Sequence, residues 1–206
     1  MSPRDQVSPR DQVIADVRAA LTGRERVAHP SEFGGWGLAP GRGADATAVV
    51  SSFIEMLERA GGTVVRLETL DDTREWLEAF AGEYAAVAVG ETVPVALRPA
   101  LPGAAPEEAA LGVSWAKFGV AETGSVFLDA RDGRRVQLLP PVHLVWLRAS
   151  DIRATQAEAF AEIATDLPSA VGIHSGPSKS ADIGQILVTG VHGPGKVIVG
   201  LLGFDL

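Results

Sequence analysis

Residues 63–89 read TVVRLETLDDTREWLEAFAGEYAAVAV, and the fold class turns on this stretch. TVVRL (63–67) is a β-branched run that predicts a strand, Asp71–Phe80 carries helical spacing, and AAVAV (85–89) predicts a second strand. A strand, a helix and a strand in direct succession predict a parallel sheet covered by helices.

Upstream, Asp45 is placed to cap a helix bearing Val49, Val50, Phe53, Ile54 and Leu57, which Gly61-Gly62 ends. Residues 24–44, RERVAHPSEFGGWGLAPGRGA, have no period and many breakers, and predict a long mobile loop. Ser8-Pro9 starts a helix with Val13, Ile14, Val17 and Leu21 on one face and Gly23 as its stop. The hexapeptide SPRDQV occurs at Ser2–Val7 and again at Ser8–Val13, and only the second copy continues into an amphipathic pattern. Residues 1–12 are therefore read as a disordered, duplicated N-terminus and 13–206 as a single α/β domain.

Downstream, SVFLDA and RVQLLP flank Asp132-Gly133, a hairpin-turn signal, and VHLVWL (142–147) adds a strand. Asp151–Thr165 returns to helix, with Ile152, Phe160 and Ile163 among its apolar positions. AVGIH, a helix from about Ser180, and KVIVGLL (196–202) as a buried last strand complete the pattern. The fold class is α/β: a three-layer, Rossmann-like domain with a mostly parallel sheet and an antiparallel hairpin insertion.

Bulk properties narrow the function. The 206 residues suffice for a substantial core, and a hydrophobic content of 46% with 23 glycines and 13 prolines suits a globular, turn-rich chain. A net charge of −8 argues against coating nucleic acid or a polybasic membrane role. With no cysteine, the chain supplies no disulfide, thiolate zinc site or cysteine-ligated cluster. The absence of a long apolar run and of a signal-peptide core makes cytoplasm the expected location. The four histidines lack the spacing of a zinc site, and no metal is expected.

Two nucleotide signatures fail on context. Gly41–Ala46 matches GxGxxA but follows no strand, so nothing delivers the glycines to a pyrophosphate. Gly190–Lys196 satisfies GxxxxGK, but Val197 stands where magnesium needs Ser or Thr, and a strand follows instead of a helix.

A third stretch, HSGPSKSADIGQILV (174–188), carries the chemistry. Read as a strand handing over to a helix, it offers the hydroxyls of Ser175, Ser178 and Ser180, backbone amides around Gly176 and the Lys179 ammonium to an oxyanion. Plain capping by Ser178 or Ser180, with Asp182 complementing the dipole, is the simpler alternative. Glu122, in the turn GVAETGS (119–125), is placed to act as acid, base, nucleophile or acceptor, or stands as a solvated turn residue. His143 reads as a hydrogen-bonded core residue. His192, between Gly190 and Gly193-Pro194, is placed to reach the same cleft. The three lysines, Lys117, Lys179 and Lys196, each lie close to one of these segments.

Taken together, GVAETGSVFL, LLPPVHLV, SGPSKSADI and LVTGVHGPGKVIVGLL resemble the LUD-domain family, and within it the lactate utilization protein C members. The resemblance is specific from about Gly112 to Leu202. It implies a fold like that of the sugar-phosphate isomerase and CoA-transferase superfamily, and a role in oxidising L-lactate to pyruvate. It also implies two partners, one ferredoxin-like with iron–sulfur clusters and one rich in cysteines, which would carry the electrons that this cluster-free chain does not. In that role Ser175–Ser180, Pro177 included, with Asp182, Thr123, Gly124, His192 and Gly193, would receive a small carboxylate. The alternative is an independent CoA-transferase-like or phosphate-handling enzyme with Glu122 as nucleophile, since the superfamily's CoA-transferases carry a glutamate in a Glu-x-Gly turn like Glu122-Thr123-Gly124. Family members often place an acid after ADI, where this chain has Gly184.

Overall fold

The computed structural model describes residues 8–23, 45–181 and 187–206. The first SPRDQV copy, the loop 24–44, Asp182 and Gly184 lie outside the described residues, as does most of the GxGxxA match. The chain divides into two units, residues 1–36 and 37–206. In the first, helix α1 (Pro9–Leu21) starts inside the second hexapeptide copy: Ser8 Oγ accepts the Asp11 amide at 3.1 Å and proline occupies the first helical position.

The second unit begins with α2 (Ala46–Arg59), whose Phe53 and Leu57 are fully buried. Asp45 precedes it without the expected side-chain cap; its carbonyl accepts the Val49 amide instead. Strand β1 (Thr63–Leu67) leads through the Thr69 cap to α3 (Leu70–Ala81) and β2 (Val87–Val89), in the predicted strand–helix–strand order. Next come β3 (Leu111–Val120), β4 (Ser125–Asp129), α4 (Arg134–Leu138) and β5 (Val142–Arg148). After β6 (Ile152–Arg153) follow α5 (Gln156–Ile163), β7 (Val171–His174), β8 (Lys179–Ala181), β9 (Leu187–Thr189) and β10 (Lys196–Leu202).

The main sheet runs β1-β10-β5-β3-β4-β7. Strands β1, β10, β5 and β3 are mutually parallel, and β2 and β6 add parallel to the two ends of β3. Strand β3 is the pivot: its first half pairs with β5 in parallel, and its second half pairs with β4 in an antiparallel hairpin that β7 extends. Side chains alternate across β5, so Val145 and Leu147 meet Phe53 and Leu57 of α2, while Leu144 and Trp146 meet Leu77 of α3. Two cores, one on each face of the sheet, make the three layers. No helix among the described residues is long and apolar enough to cross a membrane.

Four local expectations change. The antiparallel hairpin is β3–β4, turning at residues 121–124, and not a pair across Asp132-Gly133. RVQLLP is largely helix α4, because Asp132 is drawn inward as a buried acceptor and Gly133, at φ +93°, bends the chain there. Helix α5 starts at Gln156 and not at Asp151, since Ile152–Arg153 is taken up by pairing with β3 and the Thr155–Glu158 capping box sets the start. Residues 179–181 are strand, not helix: β8 pairs antiparallel with β9, with Lys179 opposite Thr189 and Ala181 opposite Leu187.

Candidate functional site

The C-terminal end of α2 organises the motif residues. A Cβ on Gly124 would lie 2.2 Å from the Leu57 amide nitrogen, and one on Gly176 would lie 2.7 Å from the Ala60 carbonyl oxygen. Both glycines also sit at positive φ, +61° and +82°. The AETGS and SGPSK turns therefore press backbone to backbone against the last turn of this helix, an approach that only glycine permits. Pro177 packs beside Gly61, and Lys179 Nζ donates to the Ala60 carbonyl. That ammonium sits on the negative end of a helix, where a cation is stabilised, and is engaged there.

Around this platform the structure joins the motif residues in two groups. Thr123 Oγ1 lies 2.7 Å from Ser125 Oγ, which lies 2.5 Å from Ser175 Oγ, so three hydroxyls form a chain across β4 and the end of β7. The second group locks SGPSK to GVHGPG: the Ser178 amide donates to the Pro194 carbonyl and the Gly190 amide to the Ser178 carbonyl, both at 2.9 Å. Ser178 Oγ accepts the His192 amide at 3.3 Å, and Gly193 lies against the Ser178 side chain. Ser180 lies in β8 opposite Val188. Because residues 179–181 are strand, no helix N-terminus among the described residues backs Ser178–Ser180, and the amides of Ser178 and His192 are already paired.

Glu122 and His192 share no hydrogen bond among the described residues. Its Oε2 accepts the Gln156 amide at 3.0 Å, satisfying one of the unpaired N–H groups at the start of α5. Next to it in sequence, the Ala121 and Glu122 amides donate to Arg153 and Ala154 carbonyls, so the turn is held on both sides.

Beneath the sheet surface lies a polar chain that the sequence reading did not assemble. His143 on β5 is fully buried, with Nε2 2.9 Å from Ser114 Oγ on β3. Nearby Asp132, also buried, accepts the Thr92 amide at 3.0 Å, Thr92 Oγ1 at 2.9 Å and the Trp115 amide at 3.2 Å. The other ring nitrogen of His143, Nδ1, has no partner among the described residues. Burial, reinforced by the His174 ring 5.8 Å away, lowers the His143 pKa to about 3 and keeps the ring neutral. Burial likewise lowers His174, and it raises Asp132 against the pull of its three donors. In the sequence, Ser114 carries no local signal and Asp132 reads as a turn residue, because each finds its partner only through tertiary pairing.

With this geometry in view, comparison with known proteins is direct. Residues 105–202 match the family model described as LUD domain. The matched stretch is 98 of the 206 residues. It holds every motif residue named above except the α2 platform. A protein from Escherichia coli K12 called uncharacterized protein YkgG is 41% identical over 100 residues, covering 45% of this chain and 43% of that protein. Lactate utilization protein C of Bacillus licheniformis is 43% identical over 98 residues, covering 44% and 41%. The protein of the same name from Geobacillus thermodenitrificans is 38% identical over 100 residues, covering 45% and 42%. The chain thus spans less than half the length of these curated relatives. A solved DUF162 family protein from Deinococcus radiodurans superposes with a TM-score of 0.61 at 16% identity, over 78% of this chain and 99% of that one. The shared fold therefore reaches beyond the LUD domain into the preceding α/β elements.

Proposed function

We propose that the chain is a cluster-free component of an L-lactate to pyruvate oxidation system, of the lactate utilization protein C kind. In this reading it docks the ferredoxin-like iron–sulfur protein and the cysteine-rich protein, and holds a small anionic ligand for them. The sequence match to relatives of that name supports the role. The observation that carries the docking half is the seam itself. Hydrogen bonds between SGPSK and GVHGPG make one stiff surface from two distant segments. Apolar side chains stand exposed on the elements that meet there: Ile173 on β7 at 40%, Val188 on β9 at 45% and Val191 in the loop at 50%. Such side chains suit a protein partner, since burying them releases water. Glu122 serves α5 as a hydrogen-bond acceptor, and that occupation favours the component reading over a carboxylate nucleophile.

The test is co-expression with the two partner proteins from the same genome, followed by size-exclusion chromatography. The expected result is co-elution that Val188→Asp with Val191→Asp abolishes. Elution of this chain apart from both partners would overturn the reading.

A further inference from the structure

On the α2 face of the sheet, His143 and His174 come together from strands that are not neighbours. Alternation along β5 puts His143 on the same face as Val145 and Leu147, which pack against α2. On β7, Gly172 and His174 lie opposite Leu128 and Val126 of β4, and both of those residues belong to the same core. Strands β3 and β4 separate β5 from β7, a span of about 14 Å across the sheet. The two ring centroids are nevertheless 5.8 Å apart, so both side chains lean inward over the strands between them.

Three observations mark their meeting point as a site. His143 has one ring nitrogen held and the other bare: Nε2 lies 2.9 Å from Ser114 Oγ, and buried Nδ1 has no partner among the described residues. A histidine that binds metal has this arrangement, with an outer hydrogen bond fixing the ring and the second nitrogen left for the ion. A metal about 2.1 Å from one nitrogen of each of two imidazoles holds their centroids roughly 5–6 Å apart, and the spacing here falls in that range. Glycine at 172, finally, keeps a space open beside His174. A Cβ there would lie 3.1 Å from His174 Nε2 and 3.0 Å from Gln137 Oε1. Gln137 is buried and spends its Nε2 on the Asp129 carbonyl at 2.9 Å, which leaves Oε1 turned into that space.

Ligand chemistry selects the ion. Imidazole nitrogens suit zinc, copper and nickel, whereas magnesium and calcium take oxygen ligands. Two imidazoles with one amide oxygen are therefore a transition-metal set. No group of three His, Asp or Glu residues able to hold a metal occurs among the described residues, so water or a ligand's own atoms complete the coordination. Half-buried His174 opens the way to solvent. Spacing along the chain hides the pair, because each histidine sits in its own strand and no helical repeat links them.

We propose that His143 and His174, with Gln137 Oε1 beside them, bind one first-row divalent transition metal. The site is independent of the docking role proposed above, and either can fail alone.

Zinc and cobalt(II) titrations of the chelator-treated full chain at pH 7.5 test the site. The expected result is one equivalent bound saturably, with a visible absorption band for cobalt. His174→Ala should weaken binding about tenfold or more, and Ser114→Ala, which removes the outer hydrogen bond to His143, about tenfold. His29→Ala should bind as the wild type does. Zinc should also shift the ring resonances of His143 and His174 in NMR spectra of the unaltered chain, so the test stands if a variant unfolds. No saturable binding, full-strength binding by His174→Ala, loss of binding in His29→Ala, or ring resonances that zinc leaves unmoved would overturn the proposal.

Discussion

Acid should destabilise this protein through His143, and by an amount the structure sets. An unfolded histidine titrates near 6.5, whereas burial holds His143 at about 3 in the folded chain. A base whose pKa is depressed on folding binds fewer protons than its unfolded form, so stability is complete above about pH 7 and is lost as pH falls through 6.5 toward 3. For this one group, the loss between pH 7.5 and 5.5 is about 1 kcal/mol, and roughly 4 kcal/mol if the fold survived to pH 3. His174, also lowered by burial, adds to the same trend, while Asp132, raised by burial, works against it. The clean comparison is therefore His143→Leu, which removes one titration and leaves the others. That variant loses the bond to Ser114, costing about 1 kcal/mol at pH 7.5. It should lose about 1 kcal/mol less on acidification, so the two stability curves converge toward pH 5.5. Urea unfolding at several pH values from 7.5 to 5.5, above the pI of about 5.0, gives both curves. Parallel curves would refute the reasoning, because they would mean that His143 charges as readily folded as unfolded.

Two further substitutions probe the α2 platform and the Glu122 turn. Gly124→Ala combines positive φ with a Cβ 2.2 Å from the Leu57 amide, and should cost about 2–4 kcal/mol in urea unfolding; a loss under 1 kcal/mol would mean that the turn does not press on α2. Glu122→Ala should lower stability by about 1 kcal/mol by stripping an acceptor from the start of α5, and Glu122→Gln, whose amide oxygen still accepts, should restore most of it in thermal melts. Equal losses in both variants would show that the contact to Gln156 is not what Glu122 supplies.

Periodic elements were legible in the chain. TVVRL, the helix around 70–81, VHLVWL and KVIVGLL need only their own spacing to be assigned, and with them came the parallel α/β class. The LUD motifs were legible too, as four short runs. Which of those runs meet was not. The link of Ser178 to His192 and Pro194, and of Ser175 to Ser125, joins residues whose separation carries no sequence signal. Lys117 was visible as a rare lysine; that it is the extra residue of a β-bulge in β3 was not.

By itself the sequence determined the layers, because burying one face of a helix or both faces of a strand leaves a repeat in the residue order. Only the tertiary structure decided the turn after β3, the path of the chain at Asp132 and the strand at 179–181. At each of these places the local pattern allowed a hairpin or a helix. The choice fell to hydrogen-bond partners far away in the chain: Thr92 and the Trp115 amide for Asp132, Pro194 and Gly190 for Ser178. A buried polar group must be paired, and the pairing available in space outweighs the propensity written along the chain.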